Sequence, residues 1–380
     1  IHCAADYPNL EETLVSAVTN LNKAPVTGSI SNQLTQESFK SISDGTDLVN
    51  QVFQGLYSSE VIPLLPEMIS LAAQLDTDLL DLLRGISLTS SPFLSTGMHI
   101  ALQCTEEFPF TTKERIRLSS ESHARVLKLL GGSSPIGSEV FDICAYWNLT
   151  AAPAVENEPV MSDIPTLIFA GSYDPITPPS GGRLLADRLG NATFVEFPAS
   201  GHAALTTGEC ALGIASGFLA APNRFVDNEC AKKQEPFAWV RPLKATEFEF
   251  YSNRFFGYLS VKPIGWAELA PGVFGRSQLG VVTLLEQLVQ DTTVEQVLDL
   301  IQRATVDSSA FLRFGSHTSE HYEWQLFRAS VSGQVMLVAL SQGDLATAFI
   351  MVTGLPGQED TLIEAVLEPV LQEFAPFPES

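Results

Sequence analysis

Two residues that follow consecutive apolar segments could together perform acid–base chemistry. Asp174 comes just after the segment IPTLIFAG (164–171), and His202 comes directly after ATFVEFPASG (192–201). An aspartate that accepts a hydrogen bond from imidazole Nδ1–H fixes the tautomer of the histidine and stabilises its charged form. Alone, Asp174 could be an ordinary turn or cap residue, and His202 an ordinary loop histidine. The pair, in this order on consecutive strand ends, favours the acid–base half of a Ser-His-Asp triad.

The elements around this pair predict one parallel β-α-β-α unit. Both apolar segments are typical of strands, and the first is expected to be buried on both faces because it is apolar throughout. An amphipathic helix (179–191) lies between them, and a second helix (208–221) follows. This order predicts parallel strands whose carboxyl ends lie at the same edge of the sheet. Only two strands are predicted here, and two parallel strands do not form a stable sheet by themselves.

The rest of the chain divides into a helical block before this unit and a mixed block after it. Residues 1–150 show helical apolar stripes without strand alternation of useful length, so we expect a helical cap or lid. Residues 151–237 are expected to form the C-terminal part of an α/β core, and residues 247–380 an accessory α+β domain with a mainly antiparallel sheet. The helices of that domain are predicted at 283–290, 293–304 and 361–375.

The composition excludes several classes of function. The 380 residues are 45% hydrophobic and carry a net charge of −23, so the chain is not disordered, and nucleic acid would repel it. The sequence contains no run of apolar residues long enough for a membrane span. No cysteine–histidine cluster has zinc spacing, and neither a metal nor another cofactor is expected.

The segment IPTLIFAGSYDPITPP (164–179) and the residues that follow it resemble the C-terminal half of an α/β-hydrolase. More narrowly, the resemblance is to the secreted tripeptidyl aminopeptidase and proline iminopeptidase-like group, and it covers approximately residues 1–237. It implies a serine peptidase in which Asp174 is the acid and His202 is the base. The positions that match its Gly-x-x-Asp-x-x-Thr-Pro, Gly-His and paired-cysteine motifs are Gly171, Asp174, Thr177, Pro178, Gly201, His202, Cys210 and Cys230.

Counting alone leaves the five cysteines open between disulfides and buried free thiols. The resemblance implies two disulfides, Cys210–Cys230 and Cys104–Cys144, and a bond from Cys3 to a residue upstream of this sequence. Because disulfides form in oxidising compartments, the resemblance also implies a secreted or cell-envelope protein.

The serine that this chemistry needs is missing from its expected place. An α/β-hydrolase carries a nucleophilic serine in G-x-S-x-G, before the acid in chain order, and no such motif precedes Asp174. Either the N-terminal half of the hydrolase lies upstream of Ile1, or the protein is a degenerate, inactive relative. We favour the former, because a cap and two strands could not bury their surfaces. We predict that these 380 residues alone lack hydrolase activity.

Two glutamates in the predicted cap could select the substrate. Glu106 and Glu107 of CTEEF could bind the free α-ammonium of a peptide by charge-assisted hydrogen bonds, a role that the resemblance implies for cap glutamates. The alternative is that both are solvated surface charges. The expected partner is therefore a peptide with a free N-terminus, cleaved by an aminopeptidase. An esterase, or a non-catalytic binding or cell-surface protein, stays open, and the oligomeric state is not predicted.

The last block carries two histidines four positions apart, His317 and His321, in SHTSEHYEW (316–324). Such a pair can bind a metal on a helix, but no glutamate stands where H-E-x-x-H needs it. A polar loop or strand edge is the favoured interpretation. The order of elements in this block resembles that of small α/β sandwiches of the PsbP type, and this fold-level likeness implies no function.

Overall fold

The computed structural model describes residues 2–32, 35, 37–88, 95–123, 125, 139–277, 279–305, 309–331, 334–343 and 346–377. These residues form two compact units. The N-terminal unit is Tyr7–Phe237, and the tail unit is Ile1–Asp6 together with Ala238–Ser380. The short first helix, α1 (His2–Asp6), belongs to the tail unit.

Helices dominate the first half of the N-terminal unit. They are α2 (Leu10–Lys23), α3 (Gly45–Gly55), α4 (Leu65–Ala72), α5 (Asp78–Leu88), α6 (Thr96–Leu102), α7 (Lys113–His123) and α8 (Glu139–Trp147), with a π-helix (Gln103–Glu107) after α6. Helix α3 begins with a capping box, in which the Asp44 side chain accepts hydrogen bonds from the backbone N–H groups of Thr46 and Asp47. These bonds satisfy donors that the first turn leaves unpaired. Val18 of α2 and Leu48 of α3 are fully buried in the core of this half.

A β-hairpin interrupts these helices and contradicts the prediction that residues 1–150 lack strands. Strands β1 (Val26–Ser31) and β2 (Ser38–Ser43) pair antiparallel. Two buried positions of β2 are polar, because Ser41 and Ser43 donate hydrogen bonds to the buried Asp81 carboxylate at 3.2 and 2.8 Å. A search for alternating apolar residues therefore misses this hairpin.

The second half of the N-terminal unit contains one parallel pair of strands with its helices. They are β3 (Thr166–Gly171), α9 (Pro179–Arg188), β4 (Ala192–Phe197), α10 (Glu209–Ala220) and α11 (Glu229–Lys232). The two strands are paired in parallel along their whole length. Only Ala170 and Gly171 of β3 are buried, so the expectation that this strand is buried on both faces is wrong. Val195 and Phe197 of β4 pack with Ile214 of α10 in a buried cluster on one face. This cluster fixes the strand ends from which the candidate residues extend.

The described residues of the tail unit form two antiparallel sheets. The strands are β5 (Phe248–Asn253), β6 (Tyr258–Pro263), β7 (Ala267–Ala270), β8 (Val273–Gly275), β9 (Thr283–Gln290), β10 (Leu312–Thr318), β11 (Glu323–Val331), β12 (Gln334–Gln342), β13 (Ala346–Gly354) and β14 (Ala375–Pro376). One sheet has the order β10-β11-β12-β13-β9-β8-β7, and the other has the order β14-β6-β5. The helices are α12 (Val294–Ala304), α13 (Glu359–Leu362) and α14 (Glu368–Glu373), with a π-helix (Ile363–Leu367) between the last two. Short 3-10 helices complete the chain at Ile62–Leu64, Phe108–Phe110, Ala154–Asn157, Ala204–Thr206 and Leu243–Ala245.

The segment TLLEQLVQ (283–290) is strand β9, so the prediction of a helix there is wrong. It pairs with β13 on one side and with β8 on the other. Leu284 and Glu286, two positions apart, are both fully buried. A glutamate at a buried strand position breaks the expected alternation and leaves a pattern typical of a helical stripe. The other two helices predicted for this unit are present.

Helix α12 packs on one face of the seven-stranded sheet. Val297 and Ile301 of the helix lie in a buried cluster with Met336 and Val338 of β12 and Phe349 of β13. The capping box at Thr293 fixes the start of the helix. The tail unit therefore has a hydrophobic core of its own.

Candidate active site

The turn after β3 and the loop after β4 are joined by backbone hydrogen bonds. The N–H of Tyr173 donates to the carbonyl of Ser200 at 3.0 Å. Parallel strands end at the same edge of a sheet, so the turn presents Asp174 on the side where the loop presents His202. The structure thus brings together the two residues that the sequence pairs.

Two glycines lie where the segments of the site approach most closely. A Cβ atom on Gly171 would lie 2.1 Å from the carbonyl oxygen of Gly201, and one on Gly201 would lie 2.3 Å from the carbonyl oxygen of Leu56. Backbone atoms at these distances leave no room for a side chain. Close packing of the backbone therefore explains the residue type at both positions.

The segment after helix α3 supports the histidine loop. The N–H of His202 donates to the carbonyl of Tyr57 at 3.1 Å, and the N–H of Gly201 donates to Ser59 Oγ at 3.2 Å. The Tyr57 ring packs edge-on against the imidazole, with the ring centroids 5.0 Å apart. Burial and the nearby charge of Asp174 raise the pKa of Tyr57. These partners could not be predicted from the sequence, because they lie more than 140 positions earlier in the chain and the contact with the Tyr57 carbonyl leaves no signal in the residue type.

The carboxylate of Asp174 and the imidazole of His202 form a direct hydrogen bond. Nδ1 of His202 lies 2.9 Å from Oδ2 of Asp174. The Asp174 side chain is 4% exposed, whereas the His202 side chain is 36% exposed. In the part of the chain that the structure describes, the side-chain hydrogen bonds of this imidazole all involve Nδ1. Nε2 is therefore free to accept a proton.

Asp174 accepts three further hydrogen bonds from the turn that follows it. Its Oδ1 accepts from the backbone N–H groups of Ile176 and Thr177, both at 2.9 Å, and its Oδ2 accepts from the Thr177 hydroxyl at 2.6 Å. Burial alone would raise the pKa of Asp174, but these bonds and the one from His202 together lower it below its ordinary value. The residue is therefore a carboxylate at neutral pH.

This arrangement can hold His202 as a neutral base in one tautomer. With Nδ1–H directed at Asp174, Nε2 can take a proton from a hydroxyl, and the carboxylate stabilises the imidazolium that forms. Among the described residues, no serine hydroxyl forms a hydrogen bond with His202. The arrangement thus places a carboxylate and an imidazole together, each with a defined orientation.

Glu106 and Glu107 are not brought to this pair by any described contact. Both are exposed residues of the π-helix Gln103–Glu107. Within the described ranges, no hydrogen bond or ion pair connects either glutamate to Asp174 or His202. Their role in substrate binding stays a prediction.

Both disulfides implied by the resemblance are present in the structure. Cys104 is bonded to Cys144, which ties the π-helix to α8, and Cys210 is bonded to Cys230, which ties α10 to α11. Cys3 is a half-buried free thiol, and burial raises its pKa. The bond predicted from Cys3 to an upstream residue stays a prediction.

Three observations concern membranes, metals and the tail histidines. No helix in the described ranges is both long enough and apolar enough to cross a membrane. The same ranges contain no group of three or more histidine, cysteine, aspartate or glutamate side chains able to hold a metal ion. His317 lies on the edge strand β10 and His321 in the turn after it, in agreement with the interpretation as a strand edge.

Residues 133–230 match the family model of TAP-like proteins, which is an α/β-hydrolase family. The matched segment contains Asp174, His202 and the Cys210–Cys230 disulfide. The resemblance to the TAP-like C-terminal region of an α/β-hydrolase is therefore confirmed for this segment, and the mixture of helices and strands fits the α/β class. No curated protein matches the chain.

Two solved structures are similar to part of the chain. The solution structure of cyanobacterial PsbP (CyanoP) from Synechocystis sp. PCC 6803 is 15% identical, with 34% of this chain and 92% of that chain covered and a TM-score of 0.27. The crystal structure of LpqN, involved in cell envelope biogenesis of Mycobacterium tuberculosis, is 13% identical, with 34% and 79% covered and a TM-score of 0.21. At such low TM-scores neither likeness carries an argument about this chain.

Proposed function

We propose that this protein, which carries the TAP-like region of an α/β-hydrolase at residues 133–230, is a serine hydrolase that cleaves short peptides at a free N-terminus. The observation that carries the proposal is the 2.9 Å hydrogen bond between His202 Nδ1 and Asp174 Oδ2. In this role Asp174 is the acid that orients the imidazole, and His202 is the general base.

His202 acts through Nε2 in the proposed reaction. We propose that the nucleophilic serine lies upstream of this sequence. Nε2 takes the proton of that serine hydroxyl while the serine oxygen attacks the scissile carbonyl, and it then gives the proton to the leaving amine. In the second half of the cycle it activates the water that hydrolyses the acyl-enzyme. Asp174 stays ionised throughout, and its lowered pKa supports this role because the charge must persist next to the imidazolium.

The decisive experiment uses the protein produced from its complete gene. We expect it to react with a fluorophosphonate probe and to hydrolyse Ala-Ala-Phe-coumarylamide. Activity should fall on the order of 10³-fold or more in Asp174→Asn and His202→Gln, because the base is misoriented or absent. Asp187→Asn and His321→Gln change exposed residues of the same types and serve as matched controls. Turnover by the 380-residue chain alone, or full activity in both site variants, would contradict the proposal.

The substrate range separates the proposed peptidase from the two other functions. A protein that hydrolyses p-nitrophenyl esters but no peptide amide would be an esterase that uses the same acid–base pair. A complete protein that neither reacts with the probe nor turns over either substrate, while His202 still contacts Asp174, is a non-catalytic binding protein. Both results would reject the proposed aminopeptidase.

We propose that Glu106 and Glu107 bind the α-ammonium group of the substrate. Their exposure on a segment held by the Cys104–Cys144 disulfide supports this role, as does the net charge of −23, which attracts cations. In Glu106→Gln and Glu107→Gln, KM for free-amine peptides should rise, while KM for the same peptides acetylated at the N-terminus should not change. Glu156→Gln alters another exposed glutamate as a control. An unchanged KM in both variants would rule out this role.

We propose further that the protein works outside the cytoplasm, secreted or in the cell envelope. The two disulfides support this location, because such bonds form and persist in oxidising compartments. Thiol labelling with a maleimide in lysates of the native host, with and without prior reduction, tests it. The four bonded cysteines should react only after reduction, and reaction before reduction would contradict the proposed location.

A further inference from the structure

We propose that Thr177 is a positioning residue for the acid–base pair, whose hydroxyl holds the charged Oδ2 of Asp174 against the Nδ1–H of His202. A contribution of Thr177 to catalysis rests on the proposed hydrolase function, whereas its effect on the orientation of Asp174 and His202 does not. Thr177 Oγ1 lies 2.6 Å from Oδ2 of Asp174 and 3.3 Å from Nδ1 of His202. Among the described side chains, it is the one that contacts both members of the pair through hydrogen-bonding atoms.

The groups around Oδ2 determine where each proton lies. An ionised carboxylate only accepts hydrogen bonds, so the hydroxyl proton of Thr177 is donated to Asp174. The lone pairs of Thr177 Oγ1 then face the imidazole, and the Nδ1–H of His202 lies between two oxygens, at 2.9 and 3.3 Å. A neutral imidazole with its proton on Nε2 would instead direct the Nδ1 lone pair at both oxygens. Thr177 and Asp174 therefore select the same tautomer.

The hydroxyl also completes the set of donors to Asp174. Oδ1 takes two backbone N–H groups, and Oδ2 takes the imidazole and the Thr177 hydroxyl, so the four lone-pair positions of the carboxylate are all used. Among the residues that the structure describes, the titratable side chains that face this carboxylate are His202 and Tyr57. Protonation of Asp174 would displace one of the four donors. Of the four, the hydroxyl can be removed without altering the backbone or the imidazole.

A purely structural role for the hydroxyl is the alternative that an experiment must exclude. Thr177 stands just before Pro178 and helix α9, and its hydroxyl could simply close the turn that Oδ1 and the backbone already form. Such a role predicts lower stability on removal of the hydroxyl. It predicts no change in the tautomer of His202, whereas loss of the hydrogen bond raises the pKa of Asp174 in either case.

The test is an NMR titration of the 380-residue chain, which needs no turnover. The ¹³C shift of the Asp174 carboxyl reports its pKa, and the ¹⁵N shifts of His202 report which ring nitrogen carries the proton. In Thr177→Val we expect the pKa of Asp174 to rise by about one to two units, because one hydrogen bond to a charged group is lost. The share of neutral imidazole protonated on Nδ1 should fall. Thr177→Ser keeps the hydroxyl and should stay near wild type.

Thr166→Val is the matched control, since within the described ranges the hydroxyl it removes bonds only to the carbonyl of Ile164. An unchanged Asp174 titration and His202 tautomer in folded Thr177→Val would overturn the proposal, and so would a Thr177→Ser variant that behaves like Thr177→Val. Where Thr177→Val does not fold, Thr177→Ala is measured in its place. If the complete protein proves not to be a hydrolase, the predicted shifts would still support the positioning role and would remove only its catalytic meaning.

Discussion

His202 and Asp174 meet at 2.9 Å although they lie on different loops and differ sharply in exposure. The aspartate is buried against a turn that supplies its other three donors, and the histidine is accessible at the surface. The imidazole can therefore exchange protons with a bound molecule while the carboxylate is shielded from solvent. This asymmetry determines which substitutions should change the chemistry and which should change only the fold.

Asp174→Asn should reverse the tautomer of His202. With Oδ1 still accepting from the turn, the amide nitrogen of the asparagine would face Nδ1 and donate to it, so the imidazole proton would move to Nε2. Two-bond ¹H–¹⁵N spectra at mildly alkaline pH distinguish the two tautomers directly. We expect the Nδ1–H form in wild type and in the control Asp187→Asn, and the Nε2–H form in Asp174→Asn. The same tautomer in all three proteins would show that Asp174 does not orient His202.

Gly201→Ala should separate the histidine loop from the segment after α3. The new Cβ would lie 2.3 Å from the carbonyl oxygen of Leu56 and 2.8 Å from that of Tyr57, so the backbone must move. We expect a loss of about 1–3 kcal/mol in the free energy of unfolding, together with weakening of the hydrogen bond from His202 N–H to Tyr57. Urea unfolding and amide exchange at residue 202 measure the two effects.

Gly213→Ala is the control for this prediction. A Cβ at Gly213 meets no atom within 4 Å, and the residue lies inside helix α10. Alanine is the better helix former, so this variant should be more stable than wild type by up to about 1 kcal/mol. Equal destabilisation of both variants would mean that the close approach at Gly201 is not the cause.

The part of the site that could be predicted from the sequence is the part formed by short, local elements. Asp174 and His202 each follow a strand directly, and parallel strands place their carboxyl ends at one edge, so their proximity follows from the pattern. Tyr57 and Ser59 could not be found in this way. They reach the loop from more than 140 positions earlier, and Tyr57 does so through its carbonyl, which every residue type has.

The failures to predict the β1–β2 hairpin and strand β9 have a common physical cause, a polar side chain at a buried strand position. Ser41 and Ser43 are buried because they donate to Asp81, and Glu286 is buried within hydrogen-bonding reach of two tyrosines and a serine. Hydrophobic periodicity treats each of these as a surface residue. The polar partner that makes burial of such a residue tolerable is distant in sequence. The sequence pattern therefore does not show that the residue is buried, and the strand is not recognised.

Removal of either disulfide should destabilise the N-terminal unit. The loops closed by Cys104–Cys144 and Cys210–Cys230 have sequence separations of 40 and 20, which in the chain-entropy model corresponds to about 3–4 kcal/mol each. The double variants C104A/C144A and C210A/C230A should therefore melt at lower temperature, and a reductant should have the same effect on wild type. Cys3→Ser, which changes the free cysteine, should keep the response to reductant. A melting curve that is insensitive to reductant would contradict this prediction.

Glu286 is a buried carboxyl group between the two sheets of the tail unit. It is fully buried on β9, where Tyr251 of β5 donates to Oε2 and Ser260 of β6 donates to Oε1 at 3.1 Å. The hydroxyl of Tyr258 donates to the backbone carbonyl of the same residue at 2.9 Å. Within the described residues no cation pairs with it. Burial raises the pKa of Glu286 to about 8, even though its hydrogen bonds favour the charged form.

The stability of the tail unit should therefore fall as the pH rises. An unfolded glutamate loses its proton near pH 4.3, whereas folded Glu286 keeps it until about pH 8, so between these values the unfolded state binds fewer protons. The stabilisation from this group is fully present below about pH 4.3 and is lost once the pH passes about 8. Glu286→Gln cannot ionise. Its stability relative to wild type should rise by roughly 4 kcal/mol between about pH 5 and pH 8.5.

Hydrogen exchange of the β6 and β9 amides at several pH values, corrected for intrinsic rates, measures this difference in the full chain. In the difference between wild type and Glu286→Gln, the contributions of the other acidic groups to the pH dependence cancel, because these groups are the same in both proteins. Glu249→Gln, which alters a side chain 55% exposed and paired with Lys262, should follow the wild-type curve. Parallel pH profiles for wild type and Glu286→Gln would show that Glu286 titrates normally in the folded protein. That result would mean that water enters between the sheets, or that the structure relaxes around Glu286, so that burial does not penalise the charged carboxylate.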